Sequence, residues 1–234
     1  MKKRQTKKRK TKKQATLQSK STSSKNVIIA AIALIIISFI ISIYFYNLFP
    51  EKIASHWNTS GEVDSYMSKG IGLFLFPIVS LAILLLFLFI PLIDPLKKNI
   101  VKFRKYFDWF ILLIIFFLFY IYLLTIFWNL GYEFNMNLAL IPALGFLFYF
   151  IGILIEKSKR NWFVGIRTPW TLSSDKVWDK THKLGGKLFK ISGIIAIIGI
   201  FFEKYIIWFV LIPVLISVVW TFVYSYVEYR KLKK

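Results

Sequence analysis

The chain has 234 residues, 57% of them hydrophobic and 19% aromatic, which is too apolar for an ordinary soluble domain of that length. Its formal net charge is +21, from 32 Lys and Arg against 11 Asp and Glu, and it has no cysteine. Disulfides, thiolate metal sites and cysteine nucleophiles are thereby excluded, and no HExxH, P-loop or GxGxxG pattern occurs.

Residues 1–26 carry eleven of the basic residues and no acidic one. A segment that repels itself and has nothing to bury is expected to be a disordered basic cytoplasmic tail. Anionic lipid headgroups are its natural partner, at up to about 1 kcal/mol per basic residue near the surface. Nucleic acid is disfavoured, because the tail offers no aromatic side chain for base stacking.

Apolar runs follow at 27–49, 71–93, 107–128, 138–155, 188–202 and 205–225. A helix needs about 20 residues to cross the hydrocarbon core, and the last two runs, broken only by Glu203 and Lys204, suit a hairpin of two spans. The first run is too long, and its end too bulky, for a cleaved signal peptide. Pro77, Pro142 and Pro213 fall inside spans, where neighbouring helices can satisfy the freed carbonyls.

Six crossings put both termini on one side. That side holds the tail, the loop 94–106, the segment 156–190 and the C-terminus, with 29 of the 32 basic residues, while the other side has only Lys52, Lys69 and Lys204. The asymmetry assigns the terminal side to the cytoplasm of the plasma membrane. The expected fold is an all-α polytopic membrane helix bundle of six transmembrane helices with both termini cytoplasmic. Its parts are the tail 1–26, a region 27–106 with two helices, an outer loop 50–70 and an inner loop 94–106, and a region 107–234 with four helices and an inner motif loop 156–187.

No Asp, Glu, Lys, Arg or His falls at mid-membrane depth, which disfavours ion-coupled carriers and intramembrane hydrolases. Asp94, Asp108 and Glu156 are expected at helix ends, near Lys97, Lys105 and Lys159. The histidines, His56 and His182, fall on opposite sides of the membrane and cannot share a metal ion. Neither a cofactor nor an enzymatic activity is expected, since no nucleophile, base and orienting acid recur at catalytic spacing.

The polar chemistry lies in two loops. In the outer one Asn58, Thr59, Ser60 and Gly61 form a turn cluster, Trp57 suits the interface, and His56, Glu62 and Asp64 are its ionisable groups. In the inner one Trp162 and Trp170 suit the headgroup level, and Pro169 drives Thr168 to an extended conformation, so Gly165–Thr171 is expected to be a structured loop. Ser173 or Ser174 then caps an amphipathic helix carrying Val177, Trp178, Thr181, Leu184 and Leu188, which lies along the membrane face until Gly185 and Gly186 turn the chain into the fifth span. Arg167, Lys176, Lys180 and Lys183 would attract anionic headgroups; a sharper role pairs Arg167 with a carboxylate or phosphate and has His182 report protonation or accept a bond at the loop.

The run Asn161-Trp162-Phe163-Val164-Gly165-Ile166-Arg167-Thr168-Pro169-Trp170-Thr171-Leu172, continued by Val177-Trp178, Thr181-His182 and Leu184-Gly185-Gly186, resembles the signature of the SdpI family of bacterial toxin-immunity membrane proteins. The outer stretch 56–69 resembles the short domain that often precedes it, in which a histidine, aromatic, asparagine, glycine and aspartate recur: here His56, Trp57, Asn58, Gly61 and Asp64. The resemblance implies immunity to a secreted peptide toxin met by those outer residues. It also implies signalling through a cytoplasmic repressor drawn to inner motif residues such as Asn161, Gly165, Arg167, Trp178, His182 and the Gly185-Gly186 pair. The alternative is a carrier or flippase for lipid or peptide that is not coupled to an ion.

Overall fold

A computed structural model describes the backbone of residues 2–232 and the side chains of residues 24–232. The elements in order are α1 (Lys2–Tyr46), β1 (Lys52–Trp57), β2 (Val63–Ser68), α2 (Lys69–Ile93), α3 (Lys97–Asn129), α4 (Met136–Lys157), α5 (Pro169–Ser173), α6 (Asp175–Ile198) and α7 (Ile206–Arg230). Six stretches are long and apolar enough to cross a membrane: Ser24–Tyr46, α2, α3, α4, α6 with the 3-10 turn that extends it, and α7. The fold is the expected six-span bundle.

Boundaries differ from the sequence reading in four places. The backbone of residues 2–26, expected to be a disordered tail, is helical and continuous with the first span in α1. The loop 94–106 is short, because α3 starts at Lys97 and bends at Phe103, where φ is −120° and ψ 18°. The loop 50–70 is a two-stranded antiparallel hairpin, pairing Lys52 with Ser68 and Trp57 with Val63. The chain does not turn at Gly185 and Gly186, since α6 runs unbroken from Asp175 into the fifth span.

The reason for that last difference is packing between helices. A Cβ on Gly186 would lie 2.7 Å from the carbonyl oxygen of Gly152 on α4, and one on Gly152 would lie 2.6 Å from that of Gly186. One heptad on, Gly145 and Gly193 face each other in the same way. Small residues let helix backbones approach closely in lipid, where no hydrophobic force draws helices together. The glycines therefore serve contact with a neighbour and leave the helix axis intact.

The helices fall into two groups of three. In the first, Ala31 and Ile35 of α1, Leu84 of α2 and Phe103, Phe107 and Ile111 of α3 form one buried cluster. Ser42 Oγ lies 2.6 Å from the Leu73 carbonyl and 2.8 Å from Tyr122 Oη, so a buried polar knot ties α1, α2 and α3. In the second, Ile141 of α4, Ala196 of α6 and Val210 of α7 share a core. Ser192 and Ser217 link α6 to α7 through a 3.0 Å hydroxyl contact.

The acidic residues near the spans find partners other than the expected lysines. Asp94 accepts backbone N–H groups, Asp108 sits inside α3 against Arg104 and Ser24, and Glu156 accepts from Lys190 of α6 at 2.6 Å. The distant partners close helix ends that sequence neighbours would have left apart.

Candidate functional site

Two polar surfaces cap the bundle, one on the face that carries the chain ends and one on the hairpin face. The first is the motif loop between α4 and α6. Asn161 is fully buried at its centre: its amide donates to the Lys159 and Val164 carbonyls, both at 2.8 Å, and accepts from the N–H groups of Phe163 and Val164 at 2.9 and 2.6 Å. One side chain thus fixes the turn, as buried polar groups require full satisfaction. The loop is tied to the α2–α3 connection by Trp162 N–H on Asp94 at 3.0 Å and by Asn99 on the Arg160 carbonyl at 2.8 Å.

Gly165 has a φ of +119°, and a Cβ there would run into His182 Nε2. That nitrogen accepts the N–H of Ile166 at 2.9 Å, as expected for a histidine receiving a bond at the loop. Nδ1 lies 2.8 Å from the Trp178 carbonyl, which can only accept, so the ring is neutral with its proton on Nδ1. The imidazole stacks on buried Trp178 at 3.8 Å between centroids, and Trp178 Nε1 donates to the Ser158 carbonyl at 3.2 Å. Both ring nitrogens are committed to the backbone, leaving His182 a positioning role.

Thr168 is extended, as Pro169 demands, and caps α5 in a reciprocal box with Thr171. The expected loop Gly165–Thr171 is therefore extended only as far as Thr168, because Pro169 is well suited to the first turn of a helix. Thr168 Oγ1 also meets Ser225 Oγ of α7 at 3.0 Å, and Trp170 packs edge-on against Phe222 at 5.2 Å. Ser174 caps α6, receiving the Val177 N–H at 3.4 Å.

Arg167 differs from the sharper expectation. It is exposed, and its guanidinium donates to the Trp162 carbonyl at 2.8 Å, with no carboxylate partner among the described residues. The structure thus packs Asn161, Gly165 and Thr168 of the loop against Trp178 and His182 of α6 and leaves Arg167 and half-exposed Trp162 on the surface. Gly185 belongs to the same cluster, where a side chain would meet Ile166, whereas Gly186 belongs to the α4 contact. Beside the loop, Asn99, Lys102, Lys159, Arg160, Asp175 and Asp179 line a cleft of about 220 Å3.

The hairpin surface is organised by asparagines. Asn58 Oδ1 accepts from Ser60 and Glu62 N–H at 2.8 and 3.0 Å, and Gly61, at φ +81°, completes the turn. His56 Nδ1 pairs with Asp64 on the exposed side of the hairpin. Trp57 sits edge-on against Trp128 of α3 at 5.7 Å. The five outer candidates thus share one hairpin, with only Asn58, Gly61 and Trp57 facing the helices.

Three further asparagines, which sequence reasoning missed, hold the hairpin down. Asn129 at the end of α3 accepts from Ala54 N–H at 2.8 Å and donates to the Ala54 carbonyl at 3.1 Å, replacing a strand partner. Asn137 donates to the Asn58 and Thr59 carbonyls at 3.1 and 2.9 Å, and Asn135 donates to the Ser60 carbonyl at 3.5 Å and to Glu203 at 2.7 Å. Their signal was three asparagines within nine residues between two apolar runs.

Comparison with known proteins now adds to the geometry. Residues 157–225 match the SdpI/YfhL protein family, and residues 33–81 match a domain of unknown function, DUF1648. The chain is 31% identical over 192 residues to Immunity protein SdpI of Bacillus subtilis (strain 168), spanning 82% of this chain and 90% of that protein. No solved structure matches. The match takes in both polar surfaces and the spans between them, and on that ground the chain belongs to the SdpI family of integral membrane proteins.

Proposed function

We propose that this protein gives its cell immunity to a secreted antimicrobial peptide and performs no catalysis. The observation that carries the reading is similarity to an immunity protein along most of both chains, which takes in the hairpin and the motif loop together. The committed ring nitrogens of His182 and the fully used amide of Asn161 support a binding role over chemistry.

In this reading the terminal face is cytoplasmic, by the excess of Lys and Arg there, and the plasma membrane is the site of action. The hairpin faces outward and meets the peptide. Lys176, Lys183 and Arg167 face inward, exposed, where they contact anionic headgroups and offer a surface to a cytoplasmic repressor. Recruitment of that repressor requires the peptide to favour one arrangement of the motif loop over another.

Expression in a toxin-sensitive bacterium tests immunity, and a fluorescent repressor moving to the membrane on toxin addition tests signalling. Survival with a diffuse repressor would separate the two activities; killing at the rate of cells without the protein would overturn the first.

A further inference from the structure

Where the hairpin tip meets the outer end of α4 and the α6–α7 turn there is a cleft of about 570 Å3, within the range of about 300–1,000 Å3 usual for small-ligand sites. Its polar wall holds Asn135, Asn137, Glu203 and Lys204, and its apolar wall is Ile206, Ile207 and Trp208. It lies across both regions of the family match, since Thr59 and Ser60 of the hairpin also line it.

The hydrogen-bond inventory fixes what it can take. The Asn135 amide donates to one Glu203 carboxylate oxygen at 2.7 Å and to the Ser60 carbonyl at 3.5 Å, and accepts from the N–H groups of Asn137 and Leu138. Asn137 spends its donor on the hairpin carbonyls of Asn58 and Thr59. Among the described residues, nothing donates to the other Glu203 oxygen or to Asn137 Oδ1, and no basic side chain pairs with Glu203. Lys204, its neighbour, lies instead over the Tyr205 ring at 5.6 Å. The cleft therefore presents unused acceptors and a carboxylate that makes no ion pair beside an aliphatic and indole wall, with the Lys204 ammonium turned to the Tyr205 ring.

We infer that this cleft seats a primary ammonium group of a peptide ligand, with Glu203 as counter-charge and Ile207 and Trp208 packing the aliphatic stem. The assignment rests on the reading of the hairpin face as a peptide-binding face. A lysine side chain has three donors and a four-carbon stem, which matches this division of the wall. Glu203 is held by Asn135, so it need not be ordered on binding.

The test uses the full chain in phosphatidylcholine nanodiscs and two blocked probes, acetyl-Leu-Lys-Leu-amide and its norleucine-for-lysine analogue, with empty nanodiscs as the reference. Saturation-transfer NMR is expected to show the lysine probe binding about two- to fivefold more tightly than the analogue, the scale of one partly exposed ion pair. Glu203→Gln should abolish that preference, Ile207→Trp should block both probes by filling the cleft, and Glu133→Gln, outside both the cleft and the hairpin, should change neither.

Equal binding of the two probes to the unaltered chain, or a lysine preference that survives Glu203→Gln, would overturn the assignment. So would loss of probe binding in phosphatidylethanolamine nanodiscs, which would give the seat to a lipid amine. Lysine preference without protection of toxin-exposed cells would sink the immunity reading alone. Protection without lysine preference would sink the ammonium seat alone.

Discussion

Ile166 donates its backbone N–H to Nε2 of His182 at 2.9 Å, and this bond sets the position of the motif loop over α6. Replacing His182 with Ala removes the acceptor and the stacking on Trp178, leaving a buried N–H unpaired at a cost of about 1–3 kcal/mol. Thermal unfolding in detergent should show a lowered midpoint for His182→Ala and partial recovery for His182→Gln, which restores an acceptor. Identical midpoints for all three proteins would show that the bond does not hold the loop.

Gly165 should be equally intolerant, for a different reason. Its φ of +119° disfavours a side chain, and a Cβ would strike the imidazole. Backbone strain of this kind costs about 1–3 kcal/mol. Gly165→Ala is expected to destabilise in the same assay, and adding His182→Ala should cost less than the sum of the single changes, since that removes the clash.

The paired glycines of α4 and α6 give a packing prediction. Gly186→Ala places a methyl 2.7 Å from the Gly152 carbonyl oxygen, with backbone on the far side that cannot give way easily. Overpacking of this kind costs about 1–3 kcal/mol. Gly70→Ala is the control, because the nearest atom there is the Tyr46 ring at 3.9 Å. Equal stability of the two variants would refute close α4–α6 contact.

Tyr122→Phe removes a hydroxyl from the buried knot with Ser42, for which about 0.6 kcal/mol is the average found for hydrogen bonds between membrane helices. Ser42→Ala combined with it should show coupling of that order in a double-mutant cycle. Independent effects would mean that the two hydroxyls do not meet.

On the hairpin face, Asn129→Ala leaves the N–H and carbonyl of Ala54 without their partner. Amide exchange at Ala54 should rise by about tenfold, equivalent to about 1.4 kcal/mol. Unchanged exchange would show that the hairpin holds itself in place.

The spans were legible because 20-residue apolar runs have few other uses, and the caps at Thr168 and Ser174 because their local chemistry is self-contained. What the sequence concealed depended on distant partners. Gly185 and Gly186 read as a turn until α4 and Ile166 were seen against them. Asp94 sat beside Lys97 in sequence, yet its carboxylate holds the Trp162 N–H, 68 residues away. The two strands of the hairpin were missed because six-residue strands with several polar positions carry weak alternation, and the side chains that hold them, Asn129 and Asn137, lie on other elements. Of the motif residues, Arg167 faces solvent, and most of the others build the interior of the loop and its seat on α6.

The central claim is immunity to a secreted peptide, and the most direct measurement is the dose of purified toxin that kills a sensitive bacterium with and without this protein. Toxins from bacteria that carry SdpI-family relatives supply the panel. A raised lethal dose is expected for at least one peptide, reduced towards the unprotected value by Glu203→Gln or Asn129→Ala at equal membrane abundance. An unchanged lethal dose across the whole panel, with the protein present in the membrane, would contradict it.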